Sequence, residues 1–350
     1  MAALYCARIP LSQYGAWRLP IESLTFGLII GAVIGAAAFP INFCALGGVA
    51  DILFAKDWRR MRAWLLAAGV AMLMTQGLAA LGIIARAEAT AAPVSWIGVL
   101  VGGVMLGYGM ALSGGCINRA LVRVGAGSLK SLVIVGVVGL AAAAAQALVG
   151  RVPSSASAPT LPGFGGDTVR CTLAAICGSA LVAFALAESW FRTGKAAVAG
   201  SIVIGLAIPA AWAASTTLGD PTSVNFAAAA GDLFSAPHGT AQVFGVAILA
   251  GVPVGSFLAA APTRNLAFET FTDRAEFLRN VVGAVLMGAG GALALGDTFG
   301  QGLSGLSILS ATAPVAIVGM FAGCLWGIRA FEAGGVWSGL KLTLTQLARR

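Results

Sequence analysis

Nine long apolar runs constrain this sequence more than any other feature. Each contains roughly 16 to 23 residues, the length that a helix needs to cross about 30 Å of hydrocarbon. A transmembrane barrel would instead need alternating strands of about ten residues, and no such pattern occurs. We therefore predict an all-α, polytopic membrane protein with nine transmembrane helices. The predicted spans are Leu24 to Pro40, Ala63 to Ala85, Val94 to Leu112, Ser131 to Val149, Cys171 to Ala187, Ala196 to Ala214, Thr240 to Ala261, Phe277 to Leu295 and Ala311 to Ile328.

The composition excludes a soluble protein. Of the 350 residues, 59% are hydrophobic and 10% are charged, whereas soluble domains carry about 25% charged residues. The net charge of +8 does not indicate a nucleic-acid partner, because the basic residues lie between apolar runs and form no stripe with aromatic residues. The 48 glycines show no collagen period, so they predict close packing of helices within a lipid bilayer.

The distribution of Lys and Arg predicts the orientation of the chain. Nine spans put the two termini on opposite sides of the membrane, and only five of the 21 Lys and Arg residues fall on the side of the N-terminus. Because cytoplasmic loops carry the excess of positive charge, we expect an external N-terminus and a cytoplasmic C-terminus in the inner, or plasma, membrane. The five residues are Arg8, Arg18, Arg86, Arg151 and Arg170.

An internal repeat relates two parts of the chain. The stretch VGGVMLGYGMALSGGC from Val101 aligns without a gap to VGAVLMGAGGALALGD from Val282, and eight of the sixteen positions are identical. The two stretches belong to the third and eighth spans, which cross in opposite directions, so inverted repeats are predicted. In this single transmembrane domain of residues 1–350, residues 24–150 form the first repeat, 171–187 the connecting span and 196–328 the second, inverted repeat.

Four Gly-rich segments that follow spans one, three, six and eight are too short to cross the membrane. Non-helical backbone at membrane depth is tolerated only where it is buried in protein or lines a polar path, so these re-entrant segments are candidate sites. The alternative is that some are ordinary external loops, above all the third. The segments read INFCALGGVADILFA from Ile41, SGGCINRALVRVGAG from Ser113, LGDPTSVNFAAAAGDLF from Leu218 and GDTFGQGLSGLSILS from Gly296.

Cys44 and Cys116 lie at the turning points of the first two re-entrant segments, next to glycines. A thiol in apolar surroundings is small and polarizable, and it suits contact with a soft sulfur atom. Buried cysteine is also a common packing residue, and both interpretations stay open. We interpret the other four cysteines as packing residues; they are Cys6, Cys171, Cys177 and Cys324.

Asp297 occupies the position that matches Cys116 in the second repeat. An ionisable side chain at membrane depth is costly and indicates a functional site, here as counter-ion, proton carrier or loop anchor. The alternative is a carboxylate at the membrane rim, in water. Asn118, Gln301 and Ser304 are candidate hydrogen-bond donors to an anion. Arg119, Arg123 and Lys130 form a predicted electrostatic mouth on the cytoplasmic side, or serve only as orientation signals.

Motifs for catalysis or metal binding are absent from the sequence. It contains no Walker A, hydrolase-triad or HExxH stretch, and its six cysteines show no metal-ligand spacing. The single histidine, His238, excludes a multi-histidine metal site. We expect a protein that is not an enzyme and that needs no cofactor or metal.

Three stretches of the sequence resemble the YeeE/YedE family of inner-membrane sulfur transporters. They read FCALGGVADILFAKDWRRMRAWLLA from Phe43, SGGCINRALVRVGAGSLKSLVI from Ser113 and VVGAVLMGAGGALALGDTFGQGLSGLS from Val281. The resemblance implies an hourglass of re-entrant helices in which three loop cysteines pass thiosulfate along by hydrogen bonds from S–H to sulfur. Cys44 and Cys116 match the first two of these cysteines, and Asp297 stands in the place of the third.

The sequence and the resemblance together predict uptake of a small inorganic sulfur-containing anion such as thiosulfate. Cys44, Cys116, Asp297, Asn118, Gln301 and Ser304 form the predicted relay. The alternative is a membrane anchor without transport activity that holds a cytoplasmic sulfur-handling protein. In either case a cytoplasmic sulfur-carrier protein is a candidate partner.

Overall fold

A computed structural model describes residues 21–84, 95–149, 166–235, 239–263, 266, 268–335 and 337–338 of the chain. All regular structure within these residues is helical, as the sequence predicts. The first half of the chain contains α1 (Ile21–Ile41), α2 (Ala45–Ala55), α3 (Arg59–Ala80), α4 (Trp96–Ser113), α5 (Ile117–Gly125) and α6 (Leu129–Val149). After it come α7 (Gly166–Leu186), α8 (Ser189–Thr193), α9 (Lys195–Thr217), α10 (Phe226–Asp232), α11 (Thr240–Ala260), α12 (Arg274–Leu293), a π-helical segment π1 (Gly300–Gly305) and α13 (Thr312–Glu332). Among the residues used in the predictions, Cys6, Arg8, Arg18, Arg86, Arg151 and His238 lie outside the described residues.

Eight of the predicted spans coincide with helices that are long and apolar enough to cross a membrane, so the prediction of a multi-pass, all-α membrane protein is confirmed. The remaining predicted span coincides with α12, which has 20 residues. Arg274, Glu276 and Arg279 lie in its first two turns and lower its mean hydropathy. Its crossing, and with it the count of nine, stays a prediction.

Short polar side chains begin several of these helices. Ser95 accepts a hydrogen bond from the Gly98 N–H at 3.1 Å and begins α4, and Asp273 accepts one from the Glu276 N–H at 2.6 Å and begins α12. Such caps satisfy backbone donors that have no partner in the first turn of a helix. The observed helix ends differ from the predicted ones by only a few residues, and for α4 and α12 the cap sets where the helix starts.

The long helices pack in crosswise pairs. In the membrane core, α1 packs along α11 while α3 packs along α9, and α4 packs along α13 while α6 packs along α12. Two further pairs, α1 with α9 and α4 with α12, lie in the middle. Elements from the first and second halves of the chain therefore alternate in the core.

Glycines set the close approach between α4 and α12. A Cβ atom added to Gly102 would lie 2.8 Å from the Gly290 carbonyl oxygen, and one added to Gly290 would lie 2.7 Å from that of Gly102. The pair Gly109 and Gly283 is equally close, with 2.6 and 2.8 Å for the same two distances. The glycines that align in the repeat thus meet each other crosswise, and their lack of a side chain lets the two backbones touch.

The connecting helix α7 packs against α3. The contact is fixed by Arg62, whose side chain is buried and donates from Nη1 to the carbonyl oxygens of Phe184 (2.5 Å) and Ala185 (3.3 Å). These carbonyls end α7, and a cation at the C-terminus of a helix offsets the partial negative charge there.

The short elements α2, α5, α10 and π1 fill the space between the long helices. Residues at their starts, including Phe43, Cys44, Cys116, Phe226 and Phe299, belong to one buried cluster. The four predicted re-entrant segments therefore place their turning points in the interior of the protein and not at its rim.

Candidate functional site

Two free thiols lie side by side at the centre. Cys44 precedes α2 and Cys116 precedes α5, and their side chains are 1% and 2% exposed. The Cys44 Sγ accepts a hydrogen bond from the Gly47 N–H at 3.5 Å and lies within hydrogen-bonding reach of the Cys116 side chain. The predicted pair of thiols at the heads of the first two re-entrant segments is thus brought into one place.

Asn118 joins the two segments that carry these thiols. Its Nδ2 donates to the Phe43 carbonyl oxygen at 3.4 Å. This hydrogen bond links α5, which carries Asn118, to the residue that precedes Cys44. Its Oδ1 is buried and has no hydrogen-bond partner among the described residues. The Asn118 amide, predicted as a donor to an anion, therefore also holds the two turning points together.

Asp297 lies between α12 and π1, and its side chain is 1% exposed. One carboxyl oxygen, Oδ1, accepts hydrogen bonds from the Phe226 N–H (3.1 Å) and the Gly300 N–H (3.0 Å). The other, Oδ2, is buried and has no partner within the described part of the chain. The Phe226 ring packs against that of Phe299, which contacts the ring of Phe43 next to Cys44, so Asp297 belongs to the same buried centre as the thiols. The alternative of a carboxylate at a watery rim does not fit this burial.

The turns before the short elements of the second half resemble those of the first half in backbone and differ in side chains. Asn225 precedes α10 and accepts a hydrogen bond from the Ala228 N–H at 3.2 Å, as Cys44 does from Gly47 before α2. The number of residues from Cys44 to Asn225 equals that from Cys116 to Asp297. The turns before Cys116 and Asp297 also agree, since Gly114 (φ 70°) and Leu295 (φ 61°) are both left-handed. This conformation is strained for leucine. The Leu295 N–H donates to the Ala292 carbonyl oxygen at 3.2 Å and the Leu295 carbonyl oxygen accepts from Asn225 Nδ2 at 3.4 Å, so backbone and cap hydrogen bonds hold the turn.

Three aromatic rings pack next to the thiols and the carboxyl group. The ring centroid of Phe299 lies 5.7 Å from that of Phe43 and 4.9 Å from that of Phe226. Each ring comes from the start of a different short element, and each is buried. Together they form a buried apolar layer beside the thiols.

Gln301 and Ser304 were predicted to offer hydrogen-bond donors from the outer segment. In the structure Gln301 Nε2 donates to the Ala294 carbonyl oxygen at 2.8 Å, and Ser304 Oγ donates to that of Val224 at 2.9 Å. Both side chains are buried. Their donors are used to hold π1 against α12 and against the segment before α10.

Two guanidinium groups converge beside Cys44. A Cβ atom added to Gly47 would lie 2.6 Å from Nη1 of Arg60 and 3.6 Å from Nη1 of Arg119. Arg60 pairs with Asp51, with 3.1 Å from Nε to Oδ2. Arg119 forms no ion pair with a described carboxylate, and its charge acts on Cys44.

The other two cations of the predicted mouth are neutralised. Arg123 pairs with Glu269, and Lys130 pairs with Glu276. Both cations line a cavity of about 310 Å³ at the ends of α4 and α13. Arg279, which lies over the Phe331 ring, adds a third cation to this cavity.

Sequence reasoning missed two residues of the centre. Cys324, interpreted as a packing residue, is fully buried on α13 and within electrostatic range of Cys44. No signal in the sequence marks it, because it lies inside a uniform apolar run. Asn225 could have been found by continuing the repeat at its fixed spacing into the first and third re-entrant segments. Within the described residues, no group of three or more His, Cys, Asp or Glu side chains could hold a metal ion.

Apolar helices that surround a buried polar centre with free thiols are typical of a membrane transport protein, and the comparison with known proteins agrees. The family model described as "Sulphur transport" matches residues 42–326, so the chain belongs to this family. This confirms the resemblance seen in the sequence, and it agrees with the expectation that the protein is not an enzyme. The chain is also similar to the Thiosulfate transporter TsuA of Escherichia coli (strain K12), with 35% identity over 105 residues. That match covers 30% of this chain and 29% of the relative.

Proposed function

We propose that the protein takes up a small inorganic sulfur-containing anion such as thiosulfate across the inner membrane. The observation that carries the proposal is the pair of free, buried thiols, Cys44 and Cys116, at the starts of α2 and α5. The family and the similarity to a thiosulfate transporter favour the same solute. The proposed external N-terminus and cytoplasmic C-terminus rest on the Lys and Arg distribution.

The thiols suit a soft anion. An S–H group is a weak donor on a polarizable atom, and the terminal sulfur of thiosulfate is an acceptor of the same kind. The first turns of α2 and α5 present backbone N–H groups and a partial positive charge to the same place. The anion passes from one thiol to the other, while the apolar rings around Phe299 exclude water.

Arg119 attracts the anion toward the inner side of the thiols. Its guanidinium group lies beside Gly47, acts on Cys44 and has no described carboxylate to neutralise it. Farther along, the cavity lined by Arg123, Lys130 and Arg279 forms the cytoplasmic mouth. A cytoplasmic sulfur-carrier protein would receive the solute at this mouth.

Inverted repeats and an hourglass shape are part of the proposal. If α1, α3, α4 and α6 correspond to α9, α11, α12 and α13, each crosswise helix pair has a counterpart under exchange of the halves. The contact of α1 with α11 matches that of α9 with α3, and the contact of α4 with α13 matches that of α12 with α6. The crosswise glycine contacts between α4 and α12 support the same two-fold relation.

The test is uptake of radiolabelled thiosulfate by purified protein in proteoliposomes and by cells that lack other sulfur uptake. Cys44→Ala and Cys116→Ala each remove a hydrogen bond to a charged solute, so we expect uptake to fall by about tenfold or more. Cys177→Ala is the matched control, because Cys177 is exposed on α7. Unchanged uptake of every tested sulfur compound in both central variants would contradict the thiol relay.

The same assay separates transport from an anchoring role. A transporter moves thiosulfate into liposomes without any other protein. Wild-type protein that carries no sulfur anion in liposomes, yet retains a cytoplasmic partner on affinity purification, would favour the membrane anchor and overturn the proposed function.

A further inference from the structure

Only one of the two oxygens of the Asp297 carboxyl group has hydrogen-bond partners among the described residues. Its Oδ1 receives two backbone hydrogen bonds, from Phe226 and Gly300, whereas its Oδ2 is buried without a donor among the described residues. An ionised carboxylate needs partners on both oxygens once it has left water. A protonated Oδ2 needs only an acceptor, and a passing anion supplies one.

The charges around Asp297 do not compensate for an ionised carboxyl group. No described Lys or Arg forms an ion pair with it. The titratable groups at the centre are the thiols of Cys116, Cys44 and Cys324. The charged residues on the helices packed around Asp297 all lie in the first or last two turns of those helices. They are Arg59, Arg60 and Arg62 of α3, Arg119 and Arg123 of α5, Lys130 of α6, Lys195 of α9, Asp232 of α10, Arg274, Glu276 and Arg279 of α12, and Arg329 and Glu332 of α13.

A sulfur dianion and an ionised Asp297 would repel each other next to Cys116, because like charges at close range disfavour the charged form of both groups. The solute can pass either if the carboxyl group is far from its path or if a proton neutralises it. The second option is favoured by the burial of Asp297 and by its hydrogen bond from the Phe226 N–H, since the Phe226 ring packs against Phe299 and the Phe299 ring contacts Phe43, the neighbour of Cys44.

We propose that Asp297 binds a proton on Oδ2 and that this proton travels inward together with the sulfur anion. The proposal rests on the proposed function and names its co-substrate. The proton reaches Oδ2 from the outer side, and the O–H group donates to the anion. When the anion moves on toward Cys116 and Arg119, the O–H bond of Asp297 breaks and the proton bonds to the anion, which releases it to water on the cytoplasmic side. Asp297 stays ionised until the next proton arrives, and one proton crosses with each anion.

The test measures both fluxes in proteoliposomes that contain a pH-sensitive dye. Addition of thiosulfate to wild-type vesicles is expected to acidify the lumen with about one proton per anion taken up. With the membrane potential held at zero by potassium and valinomycin, an inward gradient of one pH unit is expected to support about tenfold accumulation of thiosulfate. Asp297→Asn cannot bind the proton and keeps a similar shape, so we expect it to lose accumulation and lumen acidification. It should still exchange labelled for unlabelled thiosulfate when both sides are loaded, because exchange needs no net release of a proton.

Asp232→Asn is the control for loss of a carboxylate in α10, and we expect wild-type proton coupling. Wild-type uptake without lumen acidification and without any effect of the gradient would overturn the inference. Asp297→Asn that remains monodisperse yet exchanges no thiosulfate would also overturn it, because the carboxyl group would then be needed for more than the proton. Absence of thiosulfate flux in the wild type in both assays would instead overturn the proposed function.

Discussion

The first and second halves of the centre have similar backbones and different chemistry. Cys44 and Cys116 begin the short helices of the first half, whereas Asn225 and Asp297 occupy the positions at the same spacing in the second half. The first half offers two soft S–H groups, and the second offers an amide and a carboxyl group. Turns with similar backbones thus place two thiols on one side of the centre and an amide and a carboxyl group on the other.

Substitutions at the packing contacts between the two halves should have the largest effect on stability. Gly107 and Gly288 align in the repeat. A Cβ atom added to Gly107 would lie 2.0 Å from the Met320 carbonyl oxygen, and one added to Gly288 would lie 2.3 Å from the Val138 carbonyl oxygen. We expect Gly107→Ala and Gly288→Ala each to lower the free energy of unfolding by at least about 2 kcal/mol, because backbone has to move. Thermal stability in detergent, read by size-exclusion chromatography, measures the effect. Gly136→Ala is the control, since its Cβ would meet nothing within 4 Å. A loss in only one half would show that the two halves are not packed alike.

Asp297→Cys makes the chemistry of the two halves more alike. It replaces an acidic group by a third thiol, so repulsion of a dianion disappears when the outer solution is alkaline. We expect thiosulfate uptake at external pH 8 to rise by about tenfold relative to the wild type. Uptake measured at pH 6 and pH 8 checks this, and an unchanged ratio between the two would contradict a role for the acidic group.

Substitutions of Arg119 and Arg123 compare an unpaired cation with a paired one on the proposed cytoplasmic side. Arg119 acts on Cys44 and has no described carboxylate partner, whereas Arg123 pairs with Glu269. We expect Arg119→Gln to raise the KM for thiosulfate by about fivefold, through loss of a charge-assisted contact. Arg123→Gln should leave the KM near the wild-type value, because the charge of Arg123 is already neutralised. An unchanged KM in both variants would leave both residues with a role in orientation alone, and an equal rise in both would contradict the difference between a paired and an unpaired cation.

Asn225 is expected to show the smallest effect. Its Oδ1 caps α10 by accepting from Ala228, and its Nδ2 donates to the Leu295 carbonyl oxygen at 3.4 Å, so its polar atoms already have partners. Loss of this cap in Asn225→Ala costs about 1 kcal/mol of stability. Uptake should stay within about twofold of wild type at equal amounts of folded protein. A loss as large as that of Cys44→Ala would mean that Asn225 contacts the solute directly.

The long helices could be predicted from the sequence, because burial in lipid demands runs of fixed length, whereas the re-entrant path of the four short segments stays a prediction. The meeting of Cys44 with Cys116 could be predicted as well, since both begin short segments that enter from the same side. The use of the Gln301 amide could not be predicted, because its partner, Ala294 O, is fixed by how α12 ends. The position of Cys324 also depends on tertiary packing, and its surrounding sequence resembles any other apolar helix.

The crosswise pairing of helices has a consequence for biogenesis. In α1, Gly27, Gly31 and Gly35 pack against α11, and in α4, Gly103 and Gly107 pack against α13. During synthesis, the early helices enter the bilayer long before their partners leave the ribosome. Newly inserted α1 therefore exposes bare backbone to lipid, or to an insertion chaperone, until α11 arrives, and α4 does so until α13 arrives. A chain arrested before Thr312 would lack α13 and would leave the groove on α4 open.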